Sequence, residues 1–124
     1  MGKRHEALVL GALMLASSSA IAGGDAIRGQ QVYEARCGGC HSVDSDRVGP
    51  RHAGVFGRRA GAVAGFAYSP ALAASKLVWN AATLERWLNN PEALVPGQRM
   101  GYSLTDPALR ADVVAYLATL KAAP

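Results

Sequence analysis

Apolar positions recur with helical spacing at the two ends of a chain whose middle carries little periodicity. Behind Asp25, a residue suited to capping a helix, Ala26, Gly29, Tyr33 and Cys37 fall at i, i+3, i+7 and i+11. That spacing predicts one face of a helix running to about Arg36. Toward the other end, Asp106 and Pro107 form a cap and first-turn pair, followed at helical spacing by Leu109, Val113, Tyr116, Leu117 and Leu120. Between these two amphipathic helices, Ser69-Pro70 opens a short helix through about Ser75, and Asn80 caps another that must stop before Pro91. No run alternates with period two and β-branched enrichment, so no sheet is expected and the class is all-α with long loops.

The stretch from Val48 to Gly65 fits no regular element, because Gly49, Gly54, Gly57, Gly61 and Gly65 punctuate it. Compact domains rarely keep about twenty such residues unless these line or cover something. The loop is therefore expected to wrap an object that the chain does not itself supply.

The N-terminus changes the picture further. MGKRHE is basic, ALVLGALMLA is an apolar run of about ten residues, too short to span a membrane, and SSSAIA ends in a small-x-small pattern. Residues 1–22 thus read as a signal peptide cleaved near Ala22/Gly23, which places the protein in the periplasm. A mature segment 23–124 forms a single domain with a modest core that needs extra support. Losing Lys3, Arg4 and Glu6 lowers the formal charge from +4 to +3. The remaining basic residues are mostly arginines scattered singly, without the clustering and interleaved aromatics of a nucleic-acid surface, so acidic protein partners are expected instead.

The two cysteines lie in EARCGGCHSVD as Cys37 and Cys40, with His41 directly after. A thioredoxin-like dithiol should follow a strand and open a helix, whereas this pair closes one. A zinc site of Cys37, Cys40, His41 and His52 has adjacent ligands and a long gap that fit finger and ribbon spacings poorly. A disulfide across two residues closes too small a loop to stabilise much. C-x-x-C-H is also the pattern of covalent haem attachment, in which two thiols add to two vinyl groups and the next imidazole reaches the iron; export of the chain favours this reading. With His5, Met1 and Met14 in the removed segment, His52 and Met100 are the candidates for the opposite axial position. Met100 is preferred, because it sits in the Pro-Gly loop VPGQRMGY and not on an apolar helical face.

With these pieces in order, the chain resembles the class I cytochrome c family, in its mitochondrial and bacterial periplasmic branch. The resemblance runs from Gly29 to Leu120 through CGGCH, VGP at 48–50, GVFGRRAG at 54–61, GFAYS at 65–69, VWN at 78–80, TLERWLNNP at 83–91, PGQRM at 96–100 and ADVVAYL at 111–117. It implies the cytochrome c fold, with crossing N- and C-terminal helices, short middle helices and long loops around one haem. It also implies one haem c held through Cys37 and Cys40, with His41 and Met100 as metal ligands, and a Pro50 carbonyl fixing the His41 ring. Arg58, Tyr68 and Trp79 would then serve the haem propionates. Gly29, which costs about 1 kcal/mol against alanine in mid-helix, would sit with Tyr33 where the terminal helices cross, against Val113 and Tyr116. Three departures stand out: His52 and Trp87 replace a usual leucine and tyrosine, and Leu72 a common asparagine.

The function implied is that of a soluble, monomeric periplasmic one-electron carrier, not an enzyme, since both axial positions are filled and no acid, base or nucleophile constellation appears. Partners would be redox proteins such as a bc-type complex, a photosynthetic reaction centre, a terminal oxidase or a periplasmic dehydrogenase. Only Lys76 and Lys121 remain of a lysine docking ring, so Arg36 and Arg99 are the expected substitutes. A haem-based ligand binder or peroxidase-like enzyme is the rival, and would need Met100 absent or labile.

Overall fold

The computed structural model describes residues 23–122, together with Gly2; the leader expected over 1–22 and its cleavage point otherwise lie outside the described residues. Five helices occur among the described residues: α1 (Ala26–Arg36), α2 (Pro70–Ala74), α3 (Ala81–Asn89), α4 (Pro91–Leu94) and α5 (Pro107–Leu117). Each starts where a side chain can satisfy the free N–H groups of its first turn. Asp25 accepts from Ile27 and Arg28, Ser69 from Leu72, and Asp106 from Ala108 and Leu109. Asn80 and Thr83 form a reciprocal capping box, each side chain bonding the other's backbone N–H at 2.9 Å.

Two differences from the sequence reading have simple causes. Helix α4 was not expected, yet Asn90-Pro91 repeats the cap-plus-proline signature of Asp106-Pro107, with Asn90 Oδ1 accepting from Ala93 N–H. Helix α5 ends at Leu117 and does not extend to Leu120, because Thr119 folds back onto Tyr116 through both its N–H and its hydroxyl. The Leu120 carbonyl is thereby released to accept from Gly54 N–H at 2.9 Å.

Helices α1 and α5 make the most extensive packing between elements. Gly29 permits it: a Cβ there would lie 2.9 Å from Tyr116 Cβ, 2.5 Å from the Asp112 carbonyl carbon, and closer still to the carbonyl oxygen. The glycine thus faces Asp112 and Tyr116, while Tyr33 and Val113 belong to the core beneath. Charge reinforces the crossing. Buried Asp112 accepts from Asp25 N–H at 2.7 Å and from Arg28 Nε at 3.2 Å, so α5 holds the first turn of α1. The Arg28 guanidinium and the Asp25 N–H keep the Asp112 carboxyl below the usual carboxylate range.

A second buried charge lies two residues away. Arg110 donates to Glu85 at 2.6 Å and Asn89 at 3.2 Å on α3, and to the carbonyls of Leu104 and Thr105 at 3.0 and 2.8 Å. It ties α5 to α3 and fixes the end of the loop that carries Met100. The glycine-rich loop is likewise held by backbone pairing, through Gly57 N–H to Trp79 O at 2.6 Å, Ala60 N–H to Leu77 O at 2.8 Å and Trp79 N–H to Arg58 O at 2.9 Å.

Candidate cofactor site

Helix α1 delivers the cysteines. Its last turn closes through Cys37 N–H and Gly38 N–H on Tyr33 O, after which Cys40 and His41 N–H both turn back to Cys37 O. Arg47 then folds over this turn and donates to Gly38 O at 2.5 Å and to Gly39 O and His41 O at 3.2 Å. Nothing in the sequence pattern signals that clamp, since a lone loop arginine carries no spacing. Both thiols are free, Cys37 half-buried and Cys40 exposed. Burial, and secondarily Cys40, pushes the Cys37 thiol up to about 11. That is the reverse of the activated thiolate a dithiol oxidoreductase needs.

The segment after the turn runs beside it, with Gly49 N–H on Cys40 O, His52 N–H on Ser42 O and Ala53 N–H on Val43 O. This register puts Pro50 O 2.9 Å from His41 Nδ1. A carbonyl can only accept, so Nδ1 carries the proton and Nε2 keeps its lone pair for a metal. Burial lowers the His41 pKa; the Pro50 hydrogen bond opposes that and Arg47 adds to it, so the ring is neutral as a ligand must be. Gly49 closes on the same ring: a Cβ at Gly49 would stand 2.5 Å from both Nδ1 and Nε2 and nearer still to Cε1. His52 stacks on His41, with ring centroids 4.2 Å apart and planes at 21°. Burial, then the neighbouring His41 and Arg58, pushes His52 down to about 3.

The opposite wall is the loop from Val95 to Asp106. Gly97 N–H bonds Glu92 Oε1, Met100 N–H bonds Gln98 Oε1, and Leu104 N–H bonds Leu88 O, so half-buried Met100 is held from both sides. Trp79 and Trp87 pack edge to face at 5.3 Å, and neither indole N–H has a partner among the described residues. Tyr68 Oη accepts from Val63 N–H at 3.0 Å and retains its own proton to donate. Arg58 is committed in part, donating to Ala53 O at 3.0 Å and Arg51 O at 2.9 Å.

All eight residues singled out from the sequence, Cys37, Cys40, His41, Pro50, Arg58, Tyr68, Trp79 and Met100, line one cavity of about 480 Å³. The exposed Arg36 and Arg99, half-buried Leu72 and buried Trp87 line it too. Its size is that of a cofactor site. Tyr102 adds an observation the sequence did not offer: its hydroxyl is sealed from solvent with no partner among the described residues, although its side chain borders the cavity. A buried hydroxyl left unmet costs about 1–3 kcal/mol, so an acceptor is expected beside it when the cavity is filled. Two free thiols, one Nε2 lone pair, one thioether and unspent donors suit a haem attached through two thioethers. They do not suit zinc. No three His, Cys, Asp or Glu side chains among the described residues converge on a metal position, and face-stacked His41 and His52 cannot aim their nitrogens at one ion.

The chain is similar to known proteins in sequence and fold. The family model described as Cytochrome c matches residues 26–121. The cytochrome c2 of Rhodomicrobium vannielii is 44% identical over 115 residues, spanning 90% of this chain and 91% of that protein. The cytochrome c of Euglena viridis is 41% identical over 101 residues, spanning 79% of this chain and 99% of that one. Among solved structures, ferricytochrome c2 from Rhodopseudomonas palustris superposes with a TM-score of 0.74 at 40% identity, covering 78% of this chain and 99% of its own.

Proposed function

From the premise that the chain belongs to the cytochrome c family, we propose that this haem electron carrier works in the periplasm as a soluble shuttle between redox complexes of a respiratory or photosynthetic chain. Cys37 and Cys40 hold one haem c covalently, His41 and Met100 bind its iron, and the carrier is not an enzyme. The observation that supports this reading best is the meeting of these four side chains on one cavity, with His41 Nδ1 engaged by Pro50 O at 2.9 Å.

When bound, the haem exchanges a single electron between its ferrous and ferric states. The chain's own contribution is to hold its ligands still. Pro50 and Gly49 set the imidazole, while Glu92, Gln98 and Arg110 set the methionine loop. A thioether ligand favours the ferrous form and raises the potential. Tyr68, Trp79 and the unspent N–H groups of Arg58 would supply donors to the propionates of a bound haem, which cannot stay charged in a dry pocket without them. Trp79, Trp87, Leu84 and Leu88 exclude water from the rest of the cavity.

Export is supported by the signal-like pattern of residues 1–22. Docking is supported by Arg36 and Arg99, which stand exposed on the rim of the cavity. A transient partner would meet them with acidic groups around its own redox centre. The test is the purified periplasmic protein: its mass should equal the chain from Gly23 plus one haem, and its ferric spectrum should show the near-infrared charge-transfer band of methionine ligation. A band missing at neutral pH overturns the assignment of Met100, and a mass without porphyrin overturns the whole proposal.

A further inference from the structure

The proposed function leaves His52 without a role, although it is among the most constrained side chains of the cavity wall. Its ring lies nearly flat on His41, and its Nδ1 is 2.8 Å from the Tyr33 hydroxyl. Tyr33 is in turn fixed at the crossing of α1 and α5, 4% exposed, with its ring 5.2 Å from that of Tyr116. The direction of the Tyr33–His52 bond follows from counting groups. If tyrosine donates, only the Nε2 proton of His52 is left without a protein partner among the described residues. If the imidazole donated, both the tyrosine proton and the Nε2 lone pair would be left. Tyrosine therefore donates, and the helix crossing holds the His52 ring by its Nδ1.

His41 needs such a neighbour. Its one hydrogen bond, to Pro50 O, fixes a single atom and leaves the ring free to rock about it. Gly49 bears on one face of the ring, over Cε1. A flat partner on the ring face blocks the remaining tilt, which a leucine, the residue that resemblance leads one to expect at position 52, could not do in the same way. We propose that His52 is a positioning residue: it sets the angle of the His41 imidazole plane, and Tyr33 locks it to the α1–α5 crossing. This rests on the reading of His41 as an axial ligand.

The plane of an axial imidazole governs how unpaired spin is shared among the porphyrin methyl groups of a ferric haem, which gives the proposal its own signature. Proton NMR of the oxidised holoprotein would compare wild type with His52→Leu, His52→Phe and Tyr33→Phe. His52→Leu should redistribute the hyperfine-shifted methyl resonances and exchange the His41 Nδ1 proton roughly five- to tenfold faster, the opening of one ordinary hydrogen bond. His52→Phe keeps a flat ring and should restore both readouts toward wild type. Tyr33→Phe keeps every ring and should shift them in the direction of His52→Leu by a smaller amount. A wild-type methyl pattern in His52→Leu overturns the proposal, as does a His52→Phe shift equal to it. If His52→Leu yields no holoprotein, Tyr33→Phe decides, and an unchanged pattern there overturns it. The near-infrared band of the same samples keeps the two readings apart. An intact band with an unmoved pattern defeats the role of His52 alone, whereas a band absent from wild type defeats the ligation beneath it.

Discussion

Replacing Gly49 with alanine tests the site at its tightest point. The added Cβ would stand 2.5 Å from His41 Nδ1 and Nε2, against the roughly 3.5–4.0 Å at which such atoms attract. The imidazole must therefore retreat by about 1 Å, enough to end a 2.9 Å hydrogen bond to Pro50 O. Losing that bond costs about 1 kcal/mol, and forcing a carbon into a packed site costs typically 1–3 kcal/mol. The sum is about 2–4 kcal/mol, or a fall in Tm of roughly 8–30 °C for a domain of this size. Gly39 supplies the control, since it lies in the neighbouring cysteine turn and a Cβ there meets nothing within 4 Å. Thermal unfolding of the holoprotein, followed by far-ultraviolet circular dichroism, should show Gly39→Ala near wild type and Gly49→Ala far below it. Equal Tm values for the two variants would falsify the claim that Gly49 is there to admit the His41 ring.

Gly29→Ala should lower Tm although helix propensity alone would raise stability by about 1 kcal/mol, because the methyl meets the Asp112 backbone; a raised Tm would show that the helices do not cross this closely. Arg110→Met strands the Leu104 and Thr105 carbonyls and should destabilise by about 2 kcal/mol, with Met100 ligation weakening in parallel in the near-infrared; a full band through most of the denaturation curve would uncouple the two. Because Asp112 has a depressed native pKa, its stabilisation is complete above the unfolded carboxylate value of about 3.9 and is lost as pH falls through the native one. The Tm gap between wild type and Asp112→Asn should therefore be widest near neutrality and shrink below about pH 4, and a gap independent of pH would remove the Asp112–Arg28 pair as its cause. Arg36→Glu with Arg99→Glu should slow reduction by the physiological donor about tenfold or more at low ionic strength and much less at high salt; stopped-flow rates that ignore both charge and salt would take these residues off the docking face.

Much of this was legible because it rests on local rules. Asp25, Ser69, Asn80 and Asp106 cap helices wherever they precede apolar periodicity, and C-x-x-C-H carries its chemistry in its spacing. Ordered motifs matching a known family then brought Pro50, Arg58, Tyr68, Trp79 and Met100 to the same cavity. Helix α4 escaped although its Asn90-Pro91 start was visible, because four residues give no periodicity to read. What the sequence withheld depends on distant side chains meeting. Arg47 finds three carbonyls only after the turn has formed, Tyr33 finds His52 only after the loop has wrapped, and the sealed Tyr102 hydroxyl is a property of the packed wall.

Positions 110 and 112 sit two residues apart on α5, yet they serve opposite sides of the cavity. Arg110 holds the far end of the methionine loop, and Asp112 holds the start of the helix whose last turn presents Cys37. Docking of α5 against the rest of the fold therefore anchors both walls of the cavity in a single packing event.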